Sequence, residues 1–398
     1  MTDVVLLAVL LAAIAIGYGL GRWQSHRTRS TASPPSNTEL SQEYFVGLNH
    51  LLNEQPDQAI ETFVNVLEVN SETVDTHIAL GKLFRSRGEA DKAVGIHQNL
   101  LARPALAPHK NEQIQLELAR DFMVLGLYDR AQRLLTQLLE TSRDDSHRQT
   151  GKALLVDLLE REGEWQAAID VTLGTLKRHP EMRRPTAHWF CELAEEDRRQ
   201  ASRAMAKRHL RKALQLDADC VRATLLLAEL AMEDGHYTRA IEQLGHVPDQ
   251  DSEHIPTLLP LLKRAYLLND DEPGLRRHLE QLLARAPYTS TIVLLGETVH
   301  HQEGIDTAIE VVGEQLNRAP SLGGIDYLVD LYVESQQLAG RATDTRLLLL
   351  KRHTQALLDQ RPRHRCRRCG FTIERLQWQC PSCRDWGTIK PITGIEGE

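Results

Sequence analysis

Four of the six cysteines in this chain stand as two CxxC pairs, Cys366-Arg-Arg-Cys369 and Cys380-Pro-Ser-Cys383, with ten residues between them. A CxxC turn places two sulfurs on one side of a tight loop, and two such turns facing each other make a tetrahedral thiolate site. Its softness and geometry suit one iron or zinc ion. Four thiolates leave no open position for water or substrate, so Cys366, Cys369, Cys380 and Cys383 are expected to hold a structural metal. Residues 361–398 are too few to build a core, and the metal must supply their stability. Two disulfides are the competing chemistry, which a cytoplasmic compartment disfavours. Two short strands, Phe371 to Ile373 and Leu376 to Trp378, are expected to turn near Glu374. Arg361, Arg363, Arg365, Arg367 and Arg368 surround the pairs; they balance the charge of the thiolates or dock an acidic surface. Cys191 and Cys220 lie in helical segments and are expected to be buried as small apolar side chains.

Other catalytic signatures are missing from the sequence: there is no GxxxxGK[ST], no GxGxxG after a strand, no HExxH and no GxSxG. His300 and His301 are adjacent, and adjacent helical residues face different directions. The expectation is a protein that is not an enzyme.

The elements that must carry the cysteine segment are repeats. A small residue recurs with an alanine twelve positions later, as Gly47/Ala59, Gly81/Ala93, Ala119/Ala131, Ala194/Ala206, Ala228/Ala240 and Gly296/Ala308, with Val156/Ala168 and Lys263/Leu275 as degenerate members. Successive units step by 34, 38, 37, 38, 34, 35 and 33 residues. Such a spacing reads as antiparallel helix pairs of the tetratricopeptide type, whose period is about 34. Gly or Ala at the crossing lets the two backbones touch. A turn glycine follows the first anchor by seven residues at Gly88, Gly126, Gly163 and Gly235. Large apolar residues follow the anchors at Phe84, Phe122, Leu159, Tyr266 and Val299, and at Phe63, Leu135, Leu210, Leu244 and Val312, where they fill the groove between neighbours. The longer steps call for longer helices or loops around 104–109, 143–147 and 179–185. A pair of helices at about 325–338 and 343–360 caps the array. Stacked repeats present a concave surface to protein segments. The positions expected to face it are Lys82, Arg85 and Arg120 in early units and Glu195, Glu229 and Glu297 in later ones.

The N-terminus reads as a membrane anchor. Val4 to Gly21 carries no charge, and at 1.5 Å per residue it spans about 27 Å, enough for a bilayer core. The positive charges follow it at Arg22, Arg27 and Arg29, so the positive-inside rule puts the N-terminus in the periplasm and the bulk of the chain in the cytoplasm. Ala13, Gly17 and Gly21 form a small-xxx-small stripe that suits packing against another membrane helix. The expected organisation is an anchor at 1–24, a Ser/Thr/Pro-rich linker at 25–40, the repeat array at 41–360 and the metal knuckle at 361–398. The fold class is all-α: a tetratricopeptide-repeat superhelix with an N-terminal transmembrane helix and a small C-terminal β knuckle.

Composition agrees. Aromatics make up only 5% of the residues, which favours helices over sheets. A net charge of −8 gives no basic footprint for nucleic acid, so an RNA-binding ribbon is the weaker alternative.

Gly370 after the first cysteine pair and the Cys-Pro-Ser-Cys form of the second resemble rubredoxin knuckles. Anchor, repeats and the tail CRRCGFTIERLQWQCPSCRDWGTIKPI together resemble the lipopolysaccharide assembly protein B family of Gram-negative bacteria. That resemblance implies an adaptor at the inner membrane that works with the membrane-anchored AAA+ protease FtsH to control degradation of the LpxC deacetylase. It further implies a membrane-embedded, periplasm-facing regulator as a partner of the membrane segment, and other lipopolysaccharide-synthesis or transport proteins as associates. A general assembly platform without a proteolytic role is the alternative, and homo-oligomerisation is left open.

Overall fold

The structure is a computed structural model that describes residues 73–103, 106–359, 361–394 and 397, with positions 46, 49, 50 and 58. The expected anchor, its Ala13/Gly17/Gly21 stripe, the linker and the Gly47/Ala59 unit with Phe63 lie outside the described residues. Among the described residues no helix is long and apolar enough to cross a membrane.

The chain divides into two compact units, the second beginning at Leu159. In the first, α1 (Val74–Ser86), α2 (Ala90–Leu101), α3 (Pro108–Val124) and α4 (Tyr128–Thr141) form successive helical hairpins, followed by most of α5 (Asp145–Glu162). The second unit continues with α6 (Trp165–Leu173), α7 (Arg183–Arg199), α8 (Arg203–Leu216), α9 (Val221–Glu233), α10 (Tyr237–Leu244) and the short α11 (Val247–Gln250). Then come α12 (Ile255–Leu268), α13 (Glu272–Arg285), α14 (Thr289–Glu303), α15 (Ile305–Arg318), α16 (Leu322–Leu338) and α17 (Thr345–Leu358). The chain is mostly helical and closes on a small three-stranded sheet.

The repeat anchors sit where helices touch. Ala93, Ala119, Ala131, Ala168, Ala206, Ala228, Ala240 and Ala308 are completely buried. A Cβ added at Gly81 would lie 2.5 Å from the ring of His97, and one at Gly296 would lie 2.6 Å from Val312. No side chain larger than hydrogen fits there without moving a neighbour. The expected groove-filling residues Phe84, Phe122, Leu159, Tyr266 and Val299 are buried, as are Leu135, Leu210, Leu244 and Val312.

Six of the first helices among the described residues end alike. In α1 the N–H of Gly88 bonds to the carbonyl of Arg85 and that of Glu89 to Phe84, five residues back. The same pattern returns at Gly126/Leu127, Gly163/Glu164, Ala201/Ser202, Gly235/His236 and Asp270/Asp271. This is a Schellman-type stop, whose turning residue must adopt the left-handed conformation. Gly88, Gly126, Gly163 and Gly235 do so with φ between 72° and 82°. Ala201 (φ 59°) and Asp270 (φ 52°) adopt it as well, with side chains that disfavour it. The glycine spacing therefore extends to two units in which the sequence shows no glycine.

The longer repeat steps have a definite source. The first helices α3, α5 and α7 run 17, 18 and 17 residues, against 13 in α1 and α9. Roughly one extra turn precedes the anchors Ala119, Val156 and Ala194, at about 3.6 residues per turn.

Candidate metal centre and its seat on the repeats

Strand β1 (His364–Cys366) pairs antiparallel with both β2 (Thr372–Ile373) and β3 (Ile389–Pro391), in the order β2-β1-β3. Only part of the expected hairpin forms. Thr372 and Ile373 pair with Arg365 and His364, but Leu376 to Trp378 is not a strand. The third strand comes instead from Ile389–Pro391, because Trp378 is drawn away onto the helices.

The two cysteine turns share one backbone plan. The N–H of Cys366 bonds to the carbonyl of Phe371 and Gly370 returns a bond to the carbonyl of Cys366; Cys380 pairs likewise with Asp385 and Arg384. Gly370 and Arg384, at the equivalent turn, both have positive φ, 78° and 60°. The four Sγ atoms lie within 4.8 Å of one another. Cys366 and Cys383 are 3.8 Å apart, Cys369 and Cys380 3.6 Å. A tetrahedron of sulfurs about 2.3 Å from a central ion has edges of about 3.8 Å, so the cluster fits zinc or iron.

Polar hydrogens prepare these sulfurs for a cation. Burial opposes ionisation of Cys366, but the Thr388 hydroxyl at 3.3 Å and the N–H groups of Cys369 and Arg368 outweigh it and hold the thiol down at about 6. The N–H of Phe371 is the main influence lowering Cys369. Cys383 responds oppositely. Burial first, then the crowding of Cys380, Cys369 and Cys366, pushes it up to about 12 against the N–H of Asp385. Four sulfurs this close cannot all be anionic without a positive charge among them. When bound, a metal would supply that charge and cross-link the turns; with every donor a thiolate, no position faces substrate.

The knuckle rests on the helices of the second unit through an aromatic and polar seat. Trp386 is buried, stacks on His188 with centroids 5.1 Å apart, and meets Trp165 edge-on at 6.1 Å. Trp378 lies against His254 at 5.2 Å and His188 at 6.0 Å. Glu160, near the end of α5, gathers four donors. Its carboxylate accepts from Trp189 Nε1 (3.1 Å) and Trp386 Nε1 (3.3 Å) on one oxygen, and from Gln379 Nε2 (2.6 Å) and Arg384 Nη2 (3.2 Å) on the other. Arg184 Nη2 donates to the Gly387 carbonyl at 2.9 Å, and a Cβ at Gly387 would lie 2.8 Å from that same nitrogen. Lys390 pairs with Asp251 and Arg367 with Glu253. The buried rings stay neutral. Burial, then the positive charges of Arg222 and Arg184, puts His188 well below its ordinary value. Burial and then Lys390 bring His254 down to about 3, with Asp251 pulling the other way.

Sequence reasoning named the arginines as docking candidates, and among them Arg367 meets an acid of the repeats at Glu253. It missed Glu160, Arg184, His188 and His254. No local signal marks them, although Trp386 and Lys390 lie in the tail that carried the resemblance.

The six expected groove residues are all engaged within the array. Arg85, only 16% exposed, binds Glu117 and Asp121, both 2.6 Å away. Lys82 and Arg120 also approach Glu117. Asp121 is fully buried and takes a second bond from His97 Nδ1 at 2.5 Å. Arg222 binds Glu195 at 2.7 Å, Arg198 binds Glu229, and Lys263 reaches Glu297 at 2.8 Å. Apart from Arg120–Glu117 within α3 and His97–Asp121 from α2, these pairs join the first helices of neighbouring repeats. Lys82, Glu195 and Glu297 keep more than a third of their side chains exposed. Cys191 and Cys220 are buried as expected, and they face each other with sulfurs 3.9 Å apart.

Comparison with known proteins adds to this geometry. Residues 364–391 match a family described as a rubredoxin metal binding domain. Residues 76–109, 116–182 and 193–265 match tetratricopeptide-repeat families. The chain is 32% identical over 397 residues to lipopolysaccharide assembly protein B of Escherichia coli strain K12, covering 98% of this chain and 99% of the relative. It is 31% identical over 407 residues to the protein of that name from Haemophilus influenzae, with the same coverage of each.

Proposed function

The chain belongs to the lipopolysaccharide assembly protein B family, and on that premise we propose that it is a membrane-anchored cytoplasmic adaptor, not an enzyme, that regulates lipopolysaccharide synthesis. The observation that carries this reading is the joining of a closed four-thiolate knuckle to tetratricopeptide hairpins, a combination built to hold proteins and without a vacant metal position for chemistry. The apolar run from Val4 to Gly21 supports anchoring in the inner membrane, with the N-terminus periplasmic. Ala13, Gly17 and Gly21 would pack there against a membrane-embedded regulator. The knuckle holds one structural iron or zinc ion.

Its work is to promote FtsH-dependent proteolysis of the LpxC deacetylase. Holding protease and substrate on one scaffold raises their effective concentration to about the millimolar range without new chemistry. Exposed charges of the array, Lys82, Glu195 and Glu297 among them, contribute to partner contact. Depletion of the protein in its native host, followed by measurement of deacetylase lifetime after translation is stopped, tests this. A several-fold longer lifetime is expected. An unchanged lifetime with mislocalised synthesis enzymes would instead leave a general assembly platform.

A further inference from the structure

A cationic slot lies on the second unit, away from the knuckle. Its floor is apolar, formed by Leu214 of α8 and Leu227 of α9, and its rim carries Lys207 and Arg211 of α8, His236, and Arg239 of α10. The enclosed space is about 200 Å3. Helix α8, RAMAKRHLRKALQL, contains no acidic residue. Most arginines around it are held in ion pairs: Arg198 with Glu229 and Glu233, Arg203 with Asp234, Arg222 with Glu192 and Glu195. Lys207 shares Asp234. Among the described residues, Arg211 and Arg239 have no carboxylate partner, and both are exposed.

A second cavity of about 320 Å3 shares Leu214 and Gln243 with the first. The slot therefore runs on along α8 and α10, and its far end changes character, being lined by Asp219 and Asp249. An isolated anion or a lipid headgroup would use only the cationic end, whereas a chain segment can place carboxylates there and continue with uncharged side chains beside Asp219 and Asp249, the latter already paired with Arg285. Arginine guanidinium groups recognise carboxylates through paired hydrogen bonds. We propose that this slot binds an extended acidic segment of a partner protein, its Asp or Glu side chains at Arg211 and Arg239 and its apolar side chains on Leu214 and Leu227. The proposal rests on the adaptor reading only in assuming that the array holds proteins.

The test uses the full-length chain in nonionic detergent. The probe is a fluorescein-labelled peptide long enough to span both cavities, with Glu and Leu for the cationic end and Ser for the remainder, followed by fluorescence anisotropy. The double variant Arg211→Glu/Arg239→Glu should weaken binding about tenfold or more, since two charge-assisted contacts become repulsive. Arg211→Gln/Arg239→Gln should give an intermediate loss. Arg208→Glu/Arg277→Glu makes the same change in net charge at exposed arginines outside the slot and should alter affinity by less than about threefold. Equal losses in the two charge-reversed variants would overturn the proposal, as would unchanged binding when every Glu of the peptide is replaced by Gln. Binding to micelles doped with phosphatidylglycerol, without binding to the peptide, would assign the slot to lipid instead. A chain that ignores the peptide but still shortens the deacetylase lifetime would refute the slot and leave the adaptor reading standing.

Discussion

Replacing Glu160 by Ala should release the metal knuckle from the repeats without touching a metal ligand. The carboxylate accepts from Trp189, Trp386, Gln379 and Arg384. Both indoles are buried, so each N–H left without an acceptor costs about 1–3 kcal/mol. Gln379 Nε2 retains its bond to the Arg384 carbonyl at 3.0 Å and loses less. Arg384 is about a third exposed and returns to water, so its share is at most about 1 kcal/mol. The sum is about 2–7 kcal/mol, divided between docking of the knuckle and the fixing of Trp189 inside α7. Hydrogen exchange of residues 378–390 in the metal-loaded chain reads the first part, and urea unfolding of the second unit reads the total. Glu160→Gln keeps one oxygen acceptor and should lose about half. A Glu160→Ala chain whose knuckle amides exchange at the wild-type rate, with unfolding shifted by less than about 0.5 kcal/mol, would refute the role given to this carboxylate.

Three further outcomes are expected. Ala201→Gly should stabilise the second unit by about 0.5–1 kcal/mol, because relief of the left-handed alanine exceeds the added freedom of the unfolded chain; thermal unfolding should rise by about 1–3 °C, and a fall would mean that the turn is unstrained. Cys366→Ser with Cys369→Ser should abolish metal binding, measured as one iron or zinc per chain in the parent, and should expose Trp378 and Trp386 as a red-shifted emission. Neutral His254, held at about 3 by burial and Lys390 and also facing Arg184, His364 and Asp251, binds fewer protons folded than unfolded. Its contribution is complete above the unfolded value of about 6.5 and is lost as pH falls from there toward 3, about 1–2 kcal/mol by pH 5. Urea unfolding at pH 7 and pH 5 should show this loss, and His254→Gln should flatten it.

The sequence alone determined whatever repeats at short range. Two CxxC pairs announce a tetrahedral thiolate site because each turn is local, and the ten-residue gap needs only a short loop to bring the turns together. Small residues twelve apart announce helix crossings because the contact recurs at every unit. Even the left-handed stop was legible at four glycines. It was silent at Ala201 and Asp270, where packing of the hairpin forces the same turn on residues that would not choose it. Tertiary structure decided the rest. Glu160 meets Trp386 across 226 positions and Arg184 meets Gly387 across 203. No periodicity marks such pairs, since each contact is made once. The charges read as a groove surface show the same limit. Spacing places Arg85, Glu195 and Glu229 at equivalent positions of their helices, but only the neighbouring repeat, with Asp121, Arg222 and Arg198, decides that they are ion-paired there. A metal knuckle could be read from its cysteines; that it sits on the repeats depended on side chains whose partners the chain supplies from far away.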